Sequence, residues 1–136
     1  MSLPEPEHAL EVEVLGVTRV PFEEIERLLG LALASAGIED GHVAVEFVSA
    51  ERIAELNAQH RGVRGPTDVL SFPIDGAEPA PGPRELGDIV ICPEHTADLR
   101  EAIVHGALHL TGMDHETDDG EMLVVQREIM AWVTPS

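Results

Sequence analysis

Hydrophobic positions recur along this chain with two different periods, and the change from one period to the other divides it into strands and helices. Apolar and acidic residues alternate from Leu10 to Val17, which is typical of a half-buried strand. After Pro21, apolar residues recur every three or four positions as far as Ala36, and Gly37 follows them, so this stretch predicts a helix. The alternation returns from His42 to Ser49 and predicts a second strand.

The rest of the chain continues this mixture, with three helical patterns and two short apolar runs. They are the predicted helices Ser49–His60, Ala97–Thr111 and Glu121–Trp132 and the predicted strands Val69–Phe72 and Ile89–Cys92. The two strands are joined by Asp75–Pro83, a proline- and glycine-rich loop without a helical pattern, which favours an antiparallel link. Trp132 lies on the apolar stripe of the last helix and is expected in the core. The sequence therefore predicts an α+β fold, in which helices cover a small mixed sheet of about four strands.

A length of 136 residues predicts one domain, spanning residues 1–136. No apolar run approaches the ~18 residues of a membrane-spanning helix. The acidic, proline-punctuated start of the sequence lacks the pattern of a secretory signal. Because Cys92 is the one cysteine, an internal disulfide is excluded. A cytoplasmic protein with no membrane partner is expected.

The charge balance is strongly acidic: 26 aspartates and glutamates stand against eight arginines and no lysine, for a formal net charge of −18. Proteins that bind nucleic acid are usually basic. Taken alone, the balance favours a protein partner or a small substrate. A bound divalent cation or a local arginine cluster can nevertheless attract an anion within an acidic whole.

Three of the seven histidines lie in one stretch, HGALHLTGMDH, at residues 105–115. His105 and His109 are four positions apart, so both imidazoles project from one helical face and can reach one cation. Six further steps of roughly 100° each would carry His115 to the opposite side of a continuous helix. The helix must therefore end before it, and Gly112 supplies that end because glycine readily adopts the left-handed conformation.

Three histidines with an open fourth position are the ligand set of a catalytic zinc ion. A structural zinc would require a fourth protein ligand, and Cys92 is not at zinc-finger spacing from the histidines. We therefore expect one Zn²⁺ per chain, bound by His105, His109 and His115. Zinc peptidases of the HExxH type carry a glutamate base directly after the first histidine, and here that position is Gly106, so peptide hydrolysis is disfavoured.

HGALHLTGMDH resembles the HGxLHLxGxDH signature of the YbeY family, bacterial metal-dependent endoribonucleases implicated in ribosomal RNA maturation. Two further blocks are similar to the family in the same order along the chain. They are Leu56, Asn57 and Arg61 followed by PTDVLSFP at residues 66–73, and LGDIVIC at residues 86–92. The chain departs from the family between Cys92 and His105, where its twelve residues are fewer than usual.

The resemblance implies a zincin-like α+β fold and a zinc-dependent endoribonuclease that acts on single-stranded RNA, with ribosomal RNA as the expected substrate. Ribosomal or ribosome-assembly proteins are expected as further partners. It also places Arg61 in a cleft that faces the metal, where the guanidinium group can hold a phosphate, with Arg64 as a weaker candidate. Arg61 and His109 are thus the predicted catalytic residues, and the nucleophile is either metal-bound water or the 2′-hydroxyl of the RNA.

Two alternatives remain open from the sequence. One is another metal-dependent hydrolase, either a peptidase or a phosphoesterase, and the other is a non-catalytic ribosome-assembly factor with a structural zinc. The charge of −18 is the observation that favours both.

Overall fold

A computed structural model of the chain describes residues 10–74, 84–114 and 116–133. Its helices and strands, in chain order, are β1 (Leu10–Leu15), α1 (Phe22–Ala34), β2 (Gly41–Phe47), α2 (Ala50–Arg61), β3 (Val69–Pro73), β4 (Glu85–Ile91), α3 (Leu99–Leu110) and α4 (Glu121–Val133). A single 3-10 turn, Pro93–His95, precedes α3. Each predicted helix and strand is present. The predicted loop Asp75–Pro83 lies outside the described residues.

The strands form one mixed sheet in the order β1-β2-β4-β3. β1 and β2 are parallel, as are β2 and β4, while β3 and β4 are antiparallel. The predicted antiparallel link is therefore confirmed, and so is the mixed α+β fold. β1 and β2 are joined through α1, since parallel neighbours need a crossover connection. β4 begins at Glu85, earlier than predicted. Gly87 and Asp88 interrupt the apolar pattern from which the strand was predicted, but their backbone still pairs with the neighbouring strands.

Helices pack on both faces of the sheet. The larger core joins α1, α3 and α4 to one face, through fully buried residues such as Leu28, Ile89 and Leu108. A smaller cluster on the other side packs Ile53 of α2 against Leu70, Val90 and Cys92. α2 and α3 thus lie on opposite faces of the sheet. The C-terminal ends of both helices border one cleft beside β3.

The expectation that Trp132 belongs to the core is wrong, since this residue is 79% exposed. α4 buries Met122 and Ile129, and its half-buried stripe continues to Val133. One residue along a helix is a rotation of about 100°, so a stripe that ends at Val133 turns Trp132 towards solvent.

α3 lies unusually close to the sheet at Gly106. A Cβ atom on this residue would be only 2.6 Å from Cγ2 of Ile89 on β4. The Ser71 hydroxyl of β3 donates a hydrogen bond of 3.0 Å to the Gly106 carbonyl oxygen. This contact fixes the height of α3 over the sheet and thereby the position of His105 and His109. Across the described ranges, none of the helices combines the length and apolarity that crossing a membrane requires.

Candidate metal centre

The two histidines of the helical motif lie together on the last two turns of α3. Asp98 starts the helix, since its side chain accepts hydrogen bonds from the backbone N–H groups of Arg100 and Glu101. The Nε2 atoms of His105 and His109 approach each other to 3.2 Å. Both side chains are half-buried. The predicted convergence of these two imidazoles is therefore present in the structure.

Hydrogen bonds on the far side of each ring decide which nitrogen faces the cleft. Nδ1 of His109 is 3.0 Å from the Met113 carbonyl oxygen, which can only accept, so Nδ1 carries the proton. Nδ1 of His105 is 2.7 Å from Oε1 of Gln126 on α4, and donates to it in the same way. In both neutral rings Nε2 then carries the lone pair, which is the tautomer of a metal ligand.

Two lone pairs 3.2 Å apart repel each other unless a cation lies between them or close to both. Imidazole nitrogens suit zinc, and hydrogen bonds from the other ring nitrogen to carbonyl oxygens are the usual support of such ligands. The donor atoms present on α3 therefore fit a divalent metal ion.

The end of α3 follows the predicted pattern. The helix stops at Leu110, and Gly112 adopts a left-handed φ of 98° while its N–H donates to the His109 carbonyl oxygen over 3.0 Å. The third predicted ligand, His115, lies outside the described residues. Within residues 10–74, 84–114 and 116–133, no group of three or more histidine, cysteine or acidic side chains is arranged so that it could hold a metal ion. A three-ligand site in this chain thus depends on His115.

A cleft of about 660 Å³ opens beside the histidine pair. It lies between the C-terminal ends of α2 and α3, with β3 along its floor. Arg61, the last residue of α2, lines it together with His105 and His109. Arg64 is exposed and is not among the described residues that border this cleft.

α2 and the following turn set the position of Arg61. Ser49 starts this helix by accepting the Arg52 N–H, and Gly62 ends it in a left-handed conformation with φ 66°. Asn57, one helical turn before Arg61, is only 2% exposed, and its Nδ2 donates to the Gly65 carbonyl oxygen over 2.9 Å. The Asn57 side chain therefore holds the turn after Arg61 against the helix.

Several residues of the PTDVLSFP block border the cleft, although none of them is among the predicted catalytic residues. Asp68 accepts hydrogen bonds from the Val69 N–H at 2.8 Å and the Thr67 hydroxyl at 3.2 Å. It also borders, with His105, a smaller neighbouring cavity of about 310 Å³. Asp114 accepts the Glu116 N–H over 2.9 Å, which is the contact of a turn cap. The signal that could have found Asp68 was its place in a block that resembles the family.

Two histidines outside the predicted metal site, His42 and His60, have partners that come from distant parts of the sequence. His60 borders the cleft, and its ring centroid is 4.8 Å from that of Phe72 on β3. His42 on β2 lies between Glu13 of β1 and Glu85 of β4. Neither pairing is visible from sequence spacing, because each one depends on which strands and helices become neighbours.

A histidine pair in the ligand tautomer, beside an arginine in a cleft, is typical of a metal-dependent hydrolase. Comparison with known proteins identifies the family. The family model described as Endoribonuclease YbeY matches residues 17–133. The chain therefore belongs to the YbeY endoribonuclease family, and the resemblance predicted from its motifs is confirmed.

Individual relatives agree with this assignment. The chain is 40% identical over 124 residues to the Endoribonuclease YbeY of Rubrobacter xylanophilus, covering 87% of this chain and 89% of the relative. It is 42% identical over 141 residues to that of Geobacillus kaustophilus, covering 88% and 90%. A solution structure of a Thermotoga maritima protein is 32% identical, with a TM-score of 0.54 and coverage of 87% and 85%.

Proposed function

We propose that this protein is a zinc-dependent endoribonuclease that cleaves single-stranded RNA in the maturation of ribosomal RNA. One Zn²⁺ per chain would be held by His105, His109 and His115. The observation that carries the proposal is the pair of Nε2 atoms 3.2 Å apart, facing a cleft that also contains Arg61, in a chain of this family. Ribosomal or ribosome-assembly proteins are proposed as partners that deliver the substrate.

A zinc ion held by His105, His109 and His115 would supply Lewis acidity and a water of lowered pKa. The chain supplies orientation and charge. Gln126 and the Met113 carbonyl oxygen keep Nε2 of His105 and His109 directed at the cleft. The planar guanidinium group of Arg61 binds the non-bridging phosphate oxygens and stabilises the charge that develops on them. His109 thus acts as a metal ligand that cleavage requires, and Arg61 acts by contacting the reacting phosphate.

A first experiment measures zinc content and RNA cleavage on the same protein samples. Wild type is expected to contain about one zinc per chain and to cut an unstructured RNA faster than a duplex of the same sequence. His109→Ala should lose both zinc and cleavage. Arg61→Ala should keep zinc and lose about 10²–10³-fold in rate, as expected when a group that stabilises the transition state is removed. If wild-type protein contains zinc but leaves RNA intact, the proposed endoribonuclease activity is excluded.

A matched control is available on the same helix. Arg52 is an exposed arginine of α2 that pairs with Glu55 and does not border the cleft. Arg52→Ala removes the same charge at the surface and should leave cleavage unchanged. The products identify the nucleophile: attack by the RNA 2′-hydroxyl leaves a 2′,3′-cyclic phosphate and releases a 5′-hydroxyl, whereas attack by water leaves a linear phosphate.

Of the alternatives, the peptidase loses further support from the fold. Gly106 does more than lack a carboxylate, because a Cβ there would already be 2.6 Å from Ile89. A glutamate base at this position has no room. The assembly factor with a structural zinc predicts that a chelator unfolds the protein and that Arg61→Ala still complements a deletion strain. Melting curves with and without chelator, beside complementation, separate this alternative from the enzyme.

A further inference from the structure

Two aromatic rings form one corner of the cleft that contains the histidine pair. His60 is exposed on the last turn of α2, and Phe72 is half-buried on β3. Their ring centroids are 4.8 Å apart and their planes meet at 63°. Phe72 is held from behind by the smaller core cluster around Ile53 and Leu70. The corner is therefore a fixed aromatic surface that opens into the cleft.

We propose that His60 and Phe72 form a nucleobase-stacking subsite for the nucleotide whose phosphate contacts Arg61. The inference rests on the proposed function and names how the same cleft holds single-stranded RNA. His60 directly precedes Arg61, and both border the cleft. A base stacked parallel to the His60 ring would make the same angle of 63° with the Phe72 ring, and inclined arrangements of this kind are favourable for aromatic groups.

The charge of the cleft is the second argument for stacking. Arg61 is the one arginine among the described residues that border it, whereas Asp68, Asp114 and Glu116 contribute carboxylates. Phosphate contacts, which usually supply most affinity for nucleic acid, are thus few here. Stacking on an aromatic ring uses the uncharged face of the base, so it can hold a single strand on an acidic protein.

Stacking also predicts a pattern of specificity. Every base has a π-face, so such a subsite accepts any of the four bases and rejects a nucleotide that lacks one. It further requires an unpaired base, because a base inside a duplex is already stacked on both sides. The corner therefore gives a physical reason for a preference for single strands over duplexes without sequence specificity.

The test is a binding cycle with the full-length protein in its purified, metal-containing state. The probe is a fluorescein-labelled, eight-nucleotide RNA with 2′-O-methyl riboses, whose integrity is checked on a gel after each titration. A second set of probes carries one abasic nucleotide at successive positions. Wild type should lose about tenfold in affinity with the abasic site at one position, since base–aromatic stacking accounts for changes of this order.

The variants decide between stacking and a merely structural role. His60→Ala should bind the complete RNA with about tenfold lower affinity than wild type. Its affinity should not fall further with the abasic probe, because both changes remove the same contact. His60→Tyr should restore binding, and His95→Ala, at an exposed histidine outside the cleft, should bind as wild type. Phe72→Leu keeps an apolar side chain on β3 and should weaken binding without a loss of helix content by circular dichroism.

Additive effects of His60→Ala and the abasic site, or unchanged binding by His60→Ala, would overturn the subsite. Cleavage of unmodified RNA by wild type distinguishes this failure from failure of the proposed function. A protein that cleaves RNA but shows additive effects lacks the stacking subsite and remains an endoribonuclease. A protein that neither binds nor cleaves RNA overturns both.

Discussion

Gln126 and the Met113 carbonyl oxygen determine which nitrogen of each site histidine faces the cleft. Gln126 comes from α4, so the orientation of His105 depends on how that helix packs against α3. Met113 follows the helix end, so the orientation of His109 depends on the left-handed turn at Gly112. The tautomers of His105 and His109 therefore depend on tertiary structure, even though the two histidines are four residues apart on one helix.

A third histidine, His42, has a different role on the sheet. A hydrogen bond to Glu85, then the charges of Glu85 and Glu13, raise the pKa of His42 above its ordinary value. Because the pKa of His42 is higher in the folded than in the unfolded state, protonated His42 stabilises the fold. This stabilisation is fully present below about pH 6.5 and is lost as the pH rises through the folded pKa. We expect it to contribute less than about 1 kcal/mol, because both carboxylates are about half exposed.

The measurement is the free energy of unfolding in urea for wild type and His42→Gln at pH 6 and pH 9. The difference between the two proteins should be larger at pH 6 and shrink at pH 9. His95→Gln is the control for a glutamine at an exposed histidine position. A difference that stays constant or grows with pH would show that the carboxylates do not stabilise a protonated His42.

At the level of whole elements, the contact of α3 with the sheet positions His105 and His109, the candidate metal ligands. Gly106→Ala would bring a Cβ to 2.6 Å from Ile89 and force the helix away from β4. We expect a loss of about 1–3 kcal/mol in unfolding free energy, the usual cost of overpacking. Zinc affinity should fall too, because the neighbouring His105 moves with the helix.

Gly30→Ala on α1 is the matched control for this substitution. Among the described residues, no atom outside its own helix and chain neighbours lies within 4 Å of a Cβ at Gly30. Replacing glycine by alanine inside a helix with space around it should stabilise the protein by about 0.5–1 kcal/mol. Urea unfolding and zinc titration of both variants check the prediction. Equal effects of the two substitutions would mean that the α3 contact is not tight.

The helices and the sheet could be predicted because their signals are local. Periodicity placed α1 and β2 within a few residues, and the motif placed His105 and His109 on one helical face. Trp132 was assigned to the core because helical periodicity does not fix which of two neighbouring positions ends a buried stripe. The corner of His60 and Phe72 brings together α2 and β3, and no spacing in the sequence encodes that contact. The role of Arg61 stays a prediction.

For the molecule as a whole, a charge of −18 must be reconciled with an anionic substrate. The fold places α2 and α3 so that Arg61 and the histidine pair meet across one cleft. A divalent ion bound by the histidine pair would add two positive charges in the same cleft as Arg61. Electrostatic attraction of RNA is then confined to the cleft, and the acidic surface elsewhere repels nucleic acid that does not enter the cleft.

This confinement predicts an unusually weak salt dependence of RNA binding. Each phosphate neutralised by a protein cation on a single strand contributes about −0.7 to the slope of log K against log salt concentration. With Arg61 as the one arginine among the described cleft residues, we expect a slope near −0.7 for the eight-nucleotide probe, and a shallower slope for Arg61→Ala, in which a bound divalent ion alone would neutralise the phosphate. Arg52→Ala should keep the wild-type slope, since this residue lies outside the cleft. Fluorescence anisotropy measures the slope for wild type and both variants at salt concentrations between roughly 50 and 300 mM. This is roughly the range over which basic proteins lose most of their affinity. A slope steeper than about −3 would require several phosphate contacts elsewhere on the protein and would contradict a cleft in which one arginine and stacked bases hold the strand.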